Sequence, residues 1–412
     1  MLSFLYVISM AVAFTNMFNG SLMPFYIKYI IALFWIAIWV IDIIKKGKIE
    51  GRSIFAIREY SIPFILIALW SLFVWCIDKP TNFSGEFVSR MISNVLYVII
   101  TFFSAISAIH FFGRKSIKLS VIAMFLSVMV NLVYVISIYG IGMFLQYLPN
   151  VLDTTDYEFG SAMYNFSLAL EVQDITMASG FYLIYFLFFN KDDSKKTKIF
   201  YIILLFICAF IGFKRTVVFG LAIVFLVLWL VKREKINFKY IVYIIAIPFF
   251  IISFVYIAFI KFDIIGTLST ALNIDMNGRV TIYGNLAQYF DLSIFYLGKG
   301  FSYVDKIMYE TTGFVAHSVI IKMYAEIGCI PFIIWLYHYL IKVPIKTFNK
   351  FGKNAGKVAF VTTLYLFATY FMENTMTLFC IQYSFIMLPL AIACPFNNKK
   401  NVKDSNFRLE EK

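Results

Sequence analysis

The sequence predicts an all-α fold: a polytopic integral membrane protein of about twelve transmembrane helices, forming a single membrane domain over residues 1–412 with one large outer loop. Three observations carry the prediction. Of the 412 residues, 61% are hydrophobic, 20% aromatic and only 14% charged, against roughly a quarter charged in soluble domains, and mean hydropathy is +0.83. Apolar runs of bilayer-crossing length, about 17 to 25 residues, recur from end to end. The basic residues fall in alternate loops, as the positive-inside rule requires.

That last pattern also accounts for the net charge of +13 without nucleic acid as a partner. Lys and Arg cluster at 45–59, 113–118, 190–198, 232–239, 342–357 and in the tail from 399, and these six segments hold 26 of the 36 basic residues. All six are assigned to the cytoplasmic side. Consecutive basic segments must then be separated by an even number of crossings.

The elements follow in order. Residues 2–18 open with "MLSFLYVISMAVAF", which lacks a basic leader and a small-residue cleavage site, so a retained helix is expected in place of a signal peptide. Residues 22–44 return the chain to the first basic segment. The pair 60–77 and 91–112 ends at the second. Residues 119–145 then lead to "NVLDTTDYEFG", whose Asp153, Asp156 and Glu158 have no basic neighbour, as suits an outer loop, and 172–190 return. Read as one helix, 199–231 would be about 50 Å long, too long for one span and with Lys214 and Arg215 in its middle. Two helices, 199–213 and 215–231, with "FKR" at the outer turn resolve this. Residues 240–261 lead out to the long loop 262–314, and 315–341 lead back. Residues 358–394 divide into 358–372 and 376–394 with Glu373 and Asn374 at an outer tip, which places both termini in the cytoplasm.

The five cysteines contain no C-x-x-C pair and mostly sit in apolar runs, so small core residues are expected in place of disulfides or a zinc site. The acidic set 153–158 matches no calcium-loop spacing, and no metal or other cofactor is indicated.

The outer side concentrates the polar residues. In "NGRVTIYGNLAQYF", Arg279, Tyr283, Leu286 and Phe290 share one face of an amphipathic helix. Arg215 opens a helix at the outer boundary, where an arginine is a functional candidate. His317 begins a helix on the same side, and a neutral imidazole can accept a proton near ambient pH. Lys322 and Glu326 are an i, i+4 pair expected to neutralise each other, on the far side of their helix from His317. Tyr324 shares the His317 face, Lys214 adjoins Arg215, and Glu171 and Asp174 stand at the outer start of 172–190. His110 and His338, near cytoplasmic helix ends, are expected to be packing residues.

The order "FKRTVVFGLAIV", "NGR" in the long loop, "YLGKGFS", then "AHSVIIKMYAEIGCIP" resembles the O-antigen polymerase and O-antigen ligase superfamily, over the whole chain in topology and over 211–335 in motif. The resemblance implies a metal-independent, inverting membrane glycosyltransferase in the bacterial cytoplasmic (inner) membrane, acting on undecaprenyl-diphosphate-linked glycan donor and acceptor. Arg215 and Arg279 would hold the diphosphate and His317 would activate the acceptor hydroxyl. Lys214, Tyr283, Glu171 and Tyr324 would bind substrate, with Tyr289, Phe301 and Tyr303 as further aromatics able to stack on sugars. Its partners would be membrane lipids, a chain-length regulator and a flippase. A ligase transferring the glycan to lipid A core uses the same donor, and a lipid-linked oligosaccharide flippase is the alternative from another class.

Overall fold

The computed structural model describes residues 1–15, 25–79, 83–150, 160–170, 172–212, 214–231, 236–272, 279–313 and 316–394. Among these the regular structure is entirely helical. Seven helices are long and apolar enough to cross a membrane: Ile27–Lys46, Gly51–Ile77, Gly85–Phe112, Lys115–Tyr139, Phe238–Lys261, Cys329–Phe351 and Lys353–Met372. An eighth crossing arises if Ala162–Leu170 and Asp174–Phe189, bent by 44°, form one span. Leu2–Phe14, Arg215–Val231 and Phe379–Ile392 are apolar but shorter.

The layering follows from side-chain polarity and size. Ile27–Lys46 turns Ile30, Leu33, Phe34, Ile41 and Ile44 outward, an apolar exterior that makes sense only against lipid. Lys353–Met372 is the opposite case: 89% of its most apolar window is buried, against 28% for Ile27–Lys46. It packs on Arg215–Val231, Phe379–Ile392 and Gln173–Ile184. Close approach at this centre depends on small residues, as is usual where lipid gives helices no hydrophobic reason to associate. The Tyr365 hydroxyl donates to the Met177 carbonyl at 2.8 Å, and a Cβ at Gly180 would come within 2.1 Å of that hydroxyl.

Several boundaries differ from those expected. The helix expected over 119–145 ends at Tyr139, because Gly140 turns with φ +84° before a separate helix, Ile141–Asn150. Spans also start earlier than hydropathy suggests, at Gly51, Lys195 and Lys353, since polar first turns reach the interface along their aliphatic stems. Ser194 caps one of them by accepting from the Thr197 N–H at 3.2 Å. Cys208, Cys329, Cys380 and Cys394 are buried and free, but Cys76 is exposed on an outward face.

The largest difference concerns 315–341, expected as one helix. It begins at Val319 and breaks at Gly328 into Val319–Ile327 and Cys329–Phe351. The break is a docking joint for the long loop. Lys299 and Gly300 N–H groups donate to the carbonyls of Ala325 (3.0 Å) and Glu326 (2.7 Å), and Cys329 N–H donates to Tyr296 O (2.9 Å). Backbone packs on backbone here: a Cβ on Gly328 would meet Tyr296 O at 2.3 Å, and one on Gly298 would meet Glu326 O at 2.4 Å. Trp70 and Trp75 brace the joint through indole N–H groups on Leu297, Ile327 and Lys299 carbonyls. The loop therefore forms part of the packed body, with helices Ile264–Leu272, Arg279–Ala287 and Tyr303–Thr312.

Candidate functional site

The C-terminal end of Lys353–Met372 gathers the site. Two of its last residues and the residue just past its end each hold a different element. Tyr370 O accepts from Ser318 Oγ at 3.1 Å, which anchors the segment carrying His317. Phe371 O accepts from the Tyr256 hydroxyl at 3.0 Å, and that hydroxyl lies 3.1 Å from the Tyr283 hydroxyl, which anchors helix Arg279–Ala287. Glu373, where the chain leaves the helix in an extended conformation, places Oε1 3.4 Å from Arg279 Nη2 and 3.5 Å from Thr216 Oγ1.

Helix Arg279–Ala287 forms as its spacing predicts. Tyr283, Leu286 and Phe290 are buried and Arg279, one turn before Tyr283, keeps 31% of its side chain exposed. The apolar stripe packs the helix down while the guanidinium stays at the open edge. The Glu373 carboxylate beside it is only 7% exposed, so it positions the guanidinium while leaving donors on it unused.

His317 is half-buried between the buried Ala316 and Ser318. Its pKa is held below the ordinary 6.5, first by burial and then by the positive charges of Arg279 and Lys214. The imidazole is therefore neutral at neutral pH, the state in which one ring nitrogen can take a proton. His317 is thus a neutral imidazole in the field of the cations Arg279 and Lys214, with Glu373 beside Arg279.

The expected residues divide on this frame. Arg279, Tyr283, Lys214 and His317 come together. Arg215 does not join them through its side chain: it is exposed at the start of Arg215–Val231 and makes no hydrogen bond or ion pair with another described residue. Thr216, the next residue, turns inward to Glu373, because a helix sends successive side chains about 100° apart, and the charge of Lys214, just before the helix, is felt at His317.

Tyr324 also departs from expectation. Its ring is 1% exposed, packed against Phe290, Tyr296 and Phe332, and its hydroxyl donates to Asp291 O at 2.8 Å. It ties the long loop to Val319–Ile327 and lines no open site. Phe301 is likewise core, and Tyr303 stacks on Phe87 with centroids 5.0 Å apart. Glu171 and the acidic set Asp153, Asp156 and Glu158 lie outside the described residues.

Lys322 and Glu326 are not each other's direct partners. Lys322 pairs with Asp305 of the loop helix Tyr303–Thr312, and Glu326 Oε1 accepts from the Val304 N–H at 3.2 Å. Their face of the helix is covered by that loop helix, so both groups hold its first turn. His110 and His338 are packing residues, His110 between Asp42 (2.6 Å) and Glu50 (3.2 Å) and His338 on the Glu59 carbonyl at 2.7 Å.

The sequence places Glu373 only at a turn tip. Its signal was its isolation: an acid between two apolar helices on the side where the candidate cations lie. Tyr256 gave no signal, being one aromatic among many in an apolar helix. Among the described residues no three His, Cys, Asp or Glu side chains converge as metal ligands do. Architecture and composition define an α-helical, multi-pass membrane protein with this polar cluster at one end of its central helix. No protein-family model matches the chain, and no curated protein does.

Proposed function

We propose that the protein is a membrane glycosyltransferase that polymerises undecaprenyl-diphosphate-linked oligosaccharide repeat units into surface polysaccharide, on the outer face of the bacterial cytoplasmic membrane. The observation that supports this most is the neutral His317 held against the cations Arg279 and Lys214. Glycosyl transfer from a lipid diphosphate requires both parts. Cations must meet the leaving group, and a guanidinium serves phosphate oxygens without losing its charge. A base must reach the acceptor hydroxyl.

In this reading Arg279 and Lys214 bind the donor diphosphate, with Arg215 at the exposed helix start meeting its approach. His317 takes the proton of the acceptor sugar hydroxyl as that oxygen bonds to the anomeric carbon. The carbon–oxygen bond to the diphosphate breaks at the same centre, and the lipid diphosphate leaves with the electron pair. Attack opposite the leaving group inverts the anomeric configuration. Fixed positive charge in a partly dehydrated site stabilises the developing phosphate charge. The topology that goes with this function is twelve crossings with both termini cytoplasmic and 262–314 outside.

A deletion strain tests the function. A polymerase mutant displays one repeat unit on its acceptor; loss of all glycan would identify a ligase, and unchanged long chains would refute both.

A further inference from the structure

A groove of about 1140 Å³ runs along the outside of the bundle between Gly51–Ile77 and Cys329–Phe351. This exceeds the roughly 300–1,000 Å³ of ordinary small-molecule sites. Leu66, Trp70 and Phe73 form one wall, Ile330 and Ile334 the other, and Phe295 and Leu297 of the long loop close one end. The wall residues are outward-facing in two membrane-crossing helices, with Leu66 58% and Ile334 60% exposed. An occupant must therefore come from the bilayer. From Arg58 to Phe73 the wall rises about 22 Å, most of a hydrocarbon core of about 30 Å.

Charge is confined to the other end. Glu59 is nearly fully buried and holds both Arg58 and Lys346 at 2.7 Å. These three groups sum to one positive charge. Lys342, one turn before Lys346, also lines the groove and makes no ion pair or hydrogen bond with another described residue, so the end carries two net positive charges. Part-way along, Trp335 is 5% exposed and its indole N–H has no acceptor among the described residues, a donor on an otherwise apolar wall.

We propose that this groove binds an anionic glycerophospholipid, its phosphate at Arg58, Lys342 and Lys346 and an acyl chain along the Leu66 and Ile334 walls towards Phe295. A long apolar trough with cations at one end matches a molecule with one long apolar part and one anionic part. A zwitterionic headgroup carries its own cation and gains less from the same end. Through Phe295 and Leu297 the bound chain touches the loop segment that docks on Gly328, so occupancy steadies the joint between the long loop and Val319–Ile327.

The test is native mass spectrometry of the full-length protein in detergent, titrated with phosphatidylglycerol or with phosphatidylcholine of the same chains. Phosphatidylglycerol is expected to be retained preferentially, by about fivefold for each basic group that counts. Lys342→Gln, which removes a lysine without a partner among the described residues, should lose that share of the preference. Ile334→Trp, which fills the trough, should lower retention of both lipids. Equal retention of the two lipids by the unaltered protein, or a preference unchanged in Lys342→Gln, overturns the proposal. Displacement of phosphatidylglycerol by equimolar undecaprenyl phosphate would overturn it too, by assigning the groove to the polyprenyl carrier.

Discussion

Arg279 Nη2 lies 3.4 Å from Glu373 Oε1, joining the first residue of a loop helix to a nearly buried carboxylate at the end of the central helix. The carboxylate orients the only arginine that the structure brings, among the described residues, to the side of His317. Removing its charge while keeping its shape isolates that role. Glu373→Gln is expected to fold normally and to slow chain growth by about 10²-fold, the scale of a misplaced catalytic group. Glycan synthesis by the purified variant, beside its thermal unfolding, checks this; normal activity would make Glu373 a packing residue.

The depressed pKa of His317 fixes a pH dependence. If the neutral imidazole is the base, activity rises with pH through a value below 6.5 and is level above it. Lys214 is one cause of the depression, so Lys214→Met should move the acid limb upward, towards the ordinary histidine value. A pH–rate profile of the two proteins reads the shift. A limb that does not move, or moves down, would remove Lys214 from the His317 environment.

Arg279 and Arg215 should separate in their effects. Arg279→Ala is expected to cost about 10³-fold in activity, on the scale of losing one fixed stabilising donor. Arg215→Ala, at an exposed position, should act mainly by raising the donor KM. Donor titrations of the two variants distinguish these outcomes, and an equal loss of kcat in both would show that Arg215 turns inward when substrate is present.

How much of this was legible from sequence depends on the physics involved. Helix content and the clustering of Arg279, Tyr283 and His317 were readable because hydropathy and i, i+4 spacing are local. The break at Gly328 was not, since "AEIGCIP" is apolar enough to continue a helix and the joint is made by a loop segment some thirty residues earlier. The same long-range contact gives "GKG" and "EIG" a shared structural reason, close backbone approach. The partner of Lys322 was misread for the same cause: Glu326 is its neighbour in sequence, but Asp305 faces it across the packed loop. Nor could spacing show that Tyr324 is sealed by Phe290, Tyr296 and Phe332, or that Thr216 turns in where Arg215 turns out.

Lys322 is fully enclosed and the Asp305 side chain only 12% exposed, so breaking the pair from one side should be costly. Lys322→Met strands a buried carboxylate and is expected to destabilise by about 3–5 kcal/mol. Adding Asp305→Asn should recover a large part of this. Unfolding midpoints in detergent for the two single variants and the double variant give the coupling. Purely additive losses would mean that the two charges do not interact.

Gly328→Ala tests the joint directly. The position has φ +81° and an added Cβ would meet Tyr296 and Leu297 backbone at 2.3–2.4 Å. The left-handed conformation alone costs about 1–3 kcal/mol for a residue with a side chain, and the clash adds to it. Faster proteolysis within 288–302 is the expected signature; a protection pattern identical to the unaltered protein would show that the loop segment does not dock there.

The central claim is glycan polymerisation with His317 as base, and the most direct measurement is chain growth by purified protein in liposomes supplied with lipid-linked repeat units, resolved on a gel. A ladder of lengthening chains is expected with the unaltered protein and single units only with His317→Ala. A ladder that persists in His317→Ala, or no ladder with the unaltered protein, would contradict that claim.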